Sequence, residues 1–169
     1  MDVGGLKVAS ITDTIDGPAS WTVERDVHML ILHDAGSYHW LETWLDGHRT
    51  ALGDPLPDEI WFVPAGRRFK ATAKGGTARS IHIEIPAARL AVPGGARAIA
   101  AHRDPQMTVL VRKLLAGDTN AAGTLVAVLA ETLVRNIAPP LPQALLRRID
   151  GLMASIQTQL EIQITVEDM

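Results

Sequence analysis

Apolar and polar residues follow two rhythms along this chain. Up to about Pro86 they alternate in short runs broken by glycine and proline. Beyond Pro93-Gly94-Gly95 they recur every three or four positions. In the first part, residues 6–11 (LKVASI) predict a strand and 27–32 (VHMLIL) a second, ended by a turn at Asp34-Ala35-Gly36. Residues 38–45 (YHWLETWL) place Tyr38, Trp40, Glu42 and Trp44 on one face, and Leu41, Thr43 and Leu45 on the other. Asp46-Gly47 is the favoured pair for a tight hairpin, because both positions tolerate positive φ, and His48–Leu52 is the returning strand. Glu59–Val63 (EIWFV) is stopped by Pro64-Ala65-Gly66. Residues 68–73 and 78–85 predict two more strands around a turn at Lys74-Gly75-Gly76. The last of these alternates strictly: Ile81, Ile83 and Ile85 point one way, and Ser80, His82 and Glu84 the other. Many short, closely spaced strands indicate an antiparallel sandwich or barrel.

The second part is helical. Asp104-Pro105 is a helix start, with Asp as N-cap and Pro at the first position. Met107, Leu110, Val111, Leu114 and Leu115 then form one stripe, and Gly117 is the expected stop. A second helix is expected over 121–137, with Leu125, Leu129, Leu133 and Ile137 on one side, broken by Pro139-Pro140-Leu141-Pro142. A third covers about 143–159. Its positions Leu145, Ile149, Leu152 and Ile156 form a short coiled-coil-like seam, suited either to dimerisation or to packing on the chain's own barrel. Thr165-Val166-Glu167-Asp168 has the form of a capping box, the signature of another helix start.

With 169 residues, 47% of them apolar, the chain is long enough for one domain with a sizeable core. The net charge of -3 argues against a nucleic-acid surface over most of the chain and against a polybasic membrane patch. There is no cysteine, which excludes disulfides, thiolate zinc sites and cysteine nucleophiles. The start MDVGG lacks a signal peptide's basic and apolar regions, and no apolar run reaches membrane-spanning length, so the expected location is the cytoplasm.

Phosphate-cradling loops, the GxSxG elbow and HExxH are all missing, so no catalytic residue is nominated. Tyr38, Trp40, Trp44 and Trp61 suit either core filling or the wall of a mostly apolar ligand cavity. If the face carrying Tyr38, Trp40, Glu42 and Trp44 opposes Ser80, His82 and Glu84, the two enclose a pocket of mixed polarity, with Trp61 a further contact.

Trp44-Leu45-Asp46-Gly47-His48-Arg49, residues 59–66 (EIWFVPAG) and 80–86 (SIHIEIP) resemble the cupin-like sensor half of one branch of the AraC-type transcription regulators. Residues 104–115, 125–137 and 145–160 resemble that family's helical linker and dimerisation segment, and 164–169 (ITVEDM) the first helix of its double helix-turn-helix domain. The resemblance implies a mainly β plus α fold: an antiparallel cupin-like (double-stranded β-helix) barrel followed by two or three helices. It implies a sensor barrel at 1–90, a linker at 91–103, a helical dimerisation segment at 104–162 and, at 163–169, the start of a DNA-binding domain that is cut off. The expected function is ligand sensing and dimerisation within an AraC-type regulator. Its partners would be an unidentified small-molecule effector, a second copy of the chain, and DNA only through the missing domain, with no membrane partner.

The alternative is a small cupin enzyme with metal-dependent isomerase or oxygenase activity. A metal-binding cupin normally carries an HxH pair and a Glu on one hairpin and a later His. Here His39-Trp40-Leu41-Glu42 lacks the second His, and Phe69 stands where the later His is expected, leaving only His82 and Glu84 as shared-face donors. No metal and no cofactor are therefore expected.

Overall fold

The computed structural model describes residues 1–53, 55–92 and 99–135. They form seven strands and two helices: β1 (Asp2–Val3), β2 (Leu6–Val23), β3 (Val27–Leu45), β4 (His48–Leu52), β5 (Glu59–Val63), β6 (Phe69–Pro86), β7 (Ile99–Arg103), α1 (Pro105–Leu115) and α2 (Asn120–Arg135). Every strand pairing is antiparallel. The sheet runs β1-β2-β6-β3-β5-β7, with β4 paired to β3 beside this path. The expected antiparallel β architecture followed by helices is present. The expected closed barrel is not: among the described residues the sheet is open, ending at β1 on one side and β7 on the other.

Two expected turns prove to be bends inside long strands. At Asp34-Ala35-Gly36 the chain does not reverse. The register against β6 slips between His33 and Ala35, a β-bulge, and β3 runs on to Leu45, 19 residues in all. Gly36 sits at φ +78, where a Cβ would collide with the carbonyl oxygen of Thr77. Gly76, at φ +104, approaches the carbonyl of Ser37 from the facing strand in the same way. Glycine's access to positive φ permits a reversal or a bend, and here pairing across strands selects the bend. β2 also runs further than expected, its register shifting between Ile15 and Pro18, where proline cannot donate to the ladder. Within the expected linker at 91–103, Ile99–Arg103 is a strand paired with β5.

The expected hairpin is in place: Leu45 pairs with His48 across Asp46 (φ 48) and Gly47 (φ 82). Asp104 caps α1, its carboxylate accepting from the amides of Gln106 at 2.9 Å and Met107 at 3.1 Å. At the other end the amide of Gly117 donates to the Leu114 carbonyl (2.9 Å) and that of Asp118 to Lys113 (3.0 Å), a Schellman closure with Gly117 at φ +90. Leu125, Leu129 and Leu133 of α2 are buried as expected. Ile137, the seam Leu145, Ile149, Leu152 and Ile156, and the capping box at 165–168 lie outside the described residues.

Alternation splits the sheet into two apolar faces. Leu30, Leu32, Phe62, Ile81, Ile83 and Ile85 pack with α1 and α2. Met29, Ile31, Trp61, Val63, Phe69 and Ala71 form a second cluster on the other face. The unbroken apolar run in β3 is explained by this arrangement, because both of its faces are covered. No described helix is long and apolar enough to cross a membrane.

Candidate ligand-binding cleft

The sheet face turned away from the helices bounds a cleft of about 840 Å³. Register builds it row by row. His82 of β6 pairs with Ala9 of β2 on one side and Ile31 of β3 on the other, and Ile31 pairs onward with Trp61. In the next row Glu84 lies between Lys7 and Met29, and on the opposite side of His82, Ser80 lies between Ile11 and His33. Odd-numbered positions of β2, including Ile11, Ile15, Trp21 and Val23, extend the wall, and Phe69 closes one end. The small side chain of Ala9 leaves space beside the His82 ring.

Charge collects at the mouth. Glu84 is paired with Arg25 and, at 3.8 Å, with Lys7. Asp13 accepts from the Tyr38 hydroxyl at 3.5 Å. His82 sits deeper, its Nε2 3.0 Å from the Ser80 hydroxyl. Burial holds its pKa below the usual 6.5, with Asp13 and Glu84 pulling upward and Arg25 downward, so the ring is neutral at pH 7. His33, one row along, is lowered to about 4 by burial and by the neighbouring His82. It meets Trp61 edge-on with ring centres 5.0 Å apart. His33 Nε2 and Trp61 Nε1 are both buried without a hydrogen-bond partner among the described residues.

The structure brings His82 and Glu84 to this cleft but does not bring the nominated aromatic face with them. Trp40, Glu42 and Trp44 alternate with the buried Leu41, Thr43 and Leu45 and so point away from the second apolar cluster. Each indole is instead covered by a lysine of β6: Lys74 lies 5.7 Å from the Trp40 ring centre and Lys70 5.1 Å from that of Trp44. Glu42 pairs with Arg49 at 3.2 Å. Tyr38, opposite Gly76, falls out of phase with these residues and is buried beside Leu41 and Leu45. Trp61 is buried in the cluster behind the cleft. Met29, Ile31, Trp21, Val23, Arg25 and Phe69 also line the cleft and are not among the residues the sequence singles out. Their signal was present in two places: the apolar run at 27–32 has two buried faces, and Ile11, Asp13, Ile15 and then Trp21, Val23 keep an odd-numbered rhythm across Gly17-Pro18.

Among the described residues no three His, Cys, Asp or Glu side chains are placed to hold a metal ion. Glu84 is already engaged by two cations and His82 by Ser80, so this donor set does not fit a metal centre.

No protein-family model matches the sequence, and no curated protein matches it. Among solved structures, one resembling part of the chain is a mannose-6-phosphate isomerase candidate from Ralstonia eutropha JMP134. Its TM-score is 0.39 at 16% identity, over 50% of this chain and 78% of that one. The EutQ protein of Clostridium difficile gives 0.34 at 19% identity, over 48% and 57%. Vicilin from hazelnut, Corylus avellana, gives 0.35 at 14% identity, over 72% and 35%.

Proposed function

We propose that this chain is a small-molecule-binding sensor domain of cupin-like architecture, of the kind that AraC-type transcription regulators carry, acting by binding and not by catalysis. The observation that carries the reading is the cleft. Its volume of about 840 Å³ falls within the roughly 300–1,000 Å³ usual for ligand sites, and it joins an apolar inner wall to charged groups gathered at its mouth. A route from the cleft to the helices supports the sensing role. Asp34, at the bulge beside His33, is held by Arg79 at 2.7 Å and by Arg112 of α1 at 3.4 Å, and Arg112 also reaches Asp58 at 2.7 Å. A ligand that favours one arrangement of the bulge thereby favours one position of α1, to the extent of its differential affinity for the two. In this reading two copies join through the seam Leu145, Ile149, Leu152 and Ile156, and DNA is met only by a domain following Met169.

The ligand-binding reading is tested by a thermal-shift screen of small metabolites against the wild type and Ala9→Phe, which narrows the cleft beside His82. Compounds that raise the melting temperature of the wild type and not of the variant are the expected result. No such compound, or stoichiometric iron, manganese or zinc in the purified protein, contradicts it. The regulator reading predicts that the encoded sequence after Met169 is basic with two helix-turn-helix patterns. It also predicts that Leu145→Asp with Ile149→Asp yields a monomer in sedimentation. A stop directly after Met169, or a folded dimer surviving both substitutions, overturns that part.

A further inference from the structure

We propose that the cleft selects an uncharged amphipathic molecule, with an apolar ring-sized body and one hydrogen-bonding group directed at His82. The inference rests on the ligand-binding reading above and adds the chemical class. Three observations carry it.

The inner wall offers no free charge. Met29, Ile31, Trp21, Val23 and Phe69 are apolar, and Ala9 opens room for a ring beside His82.

The charges lining the mouth are of mixed sign: the Met1 ammonium donates to the Val8 carbonyl at 2.9 Å and the Asp2 carboxylate accepts from the Gly5 amide at 3.0 Å. Lys7 and Arg25, with side chains 76% and 53% exposed, both turn to Glu84, and the exposed Asp13 meets the Tyr38 hydroxyl. An anionic group placed at His82 would face Glu84 and Asp13. A cationic group would meet Asp13, whose partner is a neutral phenol, but would also face Arg25 and compete with it and Lys7 for Glu84. Either charge would lose its hydration in surroundings that set a like charge beside every opposite one.

His82 is a neutral ring with one nitrogen spoken for. Ser80 takes Nε2, and among the described residues nothing hydrogen-bonds Nδ1. The serine hydroxyl can give or accept a proton, so it supports either tautomer. Nδ1 can therefore meet a ligand hydroxyl as acceptor or a ligand carbonyl as donor. One such bond orients an otherwise apolar body.

Three probes of one shape separate the possibilities: 2-naphthol, 2-naphthoate and 2-naphthylmethylammonium, titrated into the protein at pH 7.5 and followed by amide NMR shifts. The expected result is that naphthol binds at least ~10-fold more tightly than either charged probe, that Ala9→Phe abolishes its binding, and that His82→Leu weakens it by about tenfold, the scale of one lost hydrogen bond. Ala9 is exposed to the cleft, so its variant keeps the fold, and circular dichroism verifies this. A charged probe binding as tightly as naphthol, still blocked by Ala9→Phe, overturns the uncharged class and leaves the ligand-binding reading standing. Naphthol binding unchanged in His82→Leu overturns the role of His82. No shifts with any probe up to its solubility, or shifts unaffected by Ala9→Phe, overturn both the class and the reading beneath it.

Discussion

His33 makes the fold sensitive to acid by an amount that can be worked from its surroundings. In the folded chain it is packed against Trp61 and beside His82, and its pKa is about 4 against 6.5 for an unhindered histidine. At pH 7.5 neither folded nor unfolded chain binds a proton there, and the residue leaves stability unchanged. As pH falls through 6.5 the unfolded chain takes up a proton that the folded chain refuses. Stability therefore declines by about 1.4 kcal/mol per pH unit until the folded pKa is reached. Between pH 6.5 and about 4 the total is about 3 kcal/mol, a large share of a typical domain's stability. Burial also holds His28 and His82 below 6.5, so they add to the same decline in the wild type. His33→Gln isolates one contribution, since glutamine keeps a polar side chain and does not titrate. Urea unfolding followed by circular dichroism at intervals from pH 7.5 to 4.5 should give a distinctly flatter stability profile for the variant. Parallel profiles for the two proteins would refute the reasoning, whatever the variant's absolute stability.

Other substitutions have graded expectations. Gly36→Ala forces a Cβ into positive φ and into the Thr77 carbonyl; it should cost more than ~2 kcal/mol in chemical denaturation, and a smaller loss would mean the bulge relaxes freely. Asp104→Ala removes the acceptor for two amides at the start of α1 and should cost about 1 kcal/mol by the same assay. Arg112→Ala should lower stability by less than ~1 kcal/mol, because its ion pairs are solvent-exposed. The same variant should nevertheless reduce any ligand-induced change in hydrogen exchange along α1, and an unchanged exchange pattern would remove Arg112 from the coupling route.

Much of this architecture can be read locally. Asp46-Gly47 predicts its own hairpin, Asp104-Pro105 its own helix start, and the alternation from Ser80 to Ile85 assigns three residues to each face correctly. These features depend on neighbours within a few positions. The bends at Gly36 and at Gly75-Gly76 do not. A glycine that permits positive φ is compatible with a turn or a bulge, and the choice is made by a strand tens of residues away. The second half of β2 hides behind Asp16-Gly17-Pro18, residue types that score poorly in strands, until β6 pairs with the stretch on either side of them. The cleft shows the same division. Period-two alternation alone identifies His82 and Glu84. Trp40 and Trp44 stand out by aromatic mass, on a strand whose facing partner a single sequence does not reveal, and the structure covers them with Lys74 and Lys70 on the other side.

The most direct test of the account is a crystal structure of the protein grown with 2-naphthol or a compound from the thermal-shift screen. The account predicts the ligand's apolar body against Ile31 and Ala9, with one polar atom within hydrogen-bonding distance of His82 Nδ1. A ligand seated beside Trp40 and Trp44, or on the outer surface of α1 and α2 with the cleft unchanged, would contradict it.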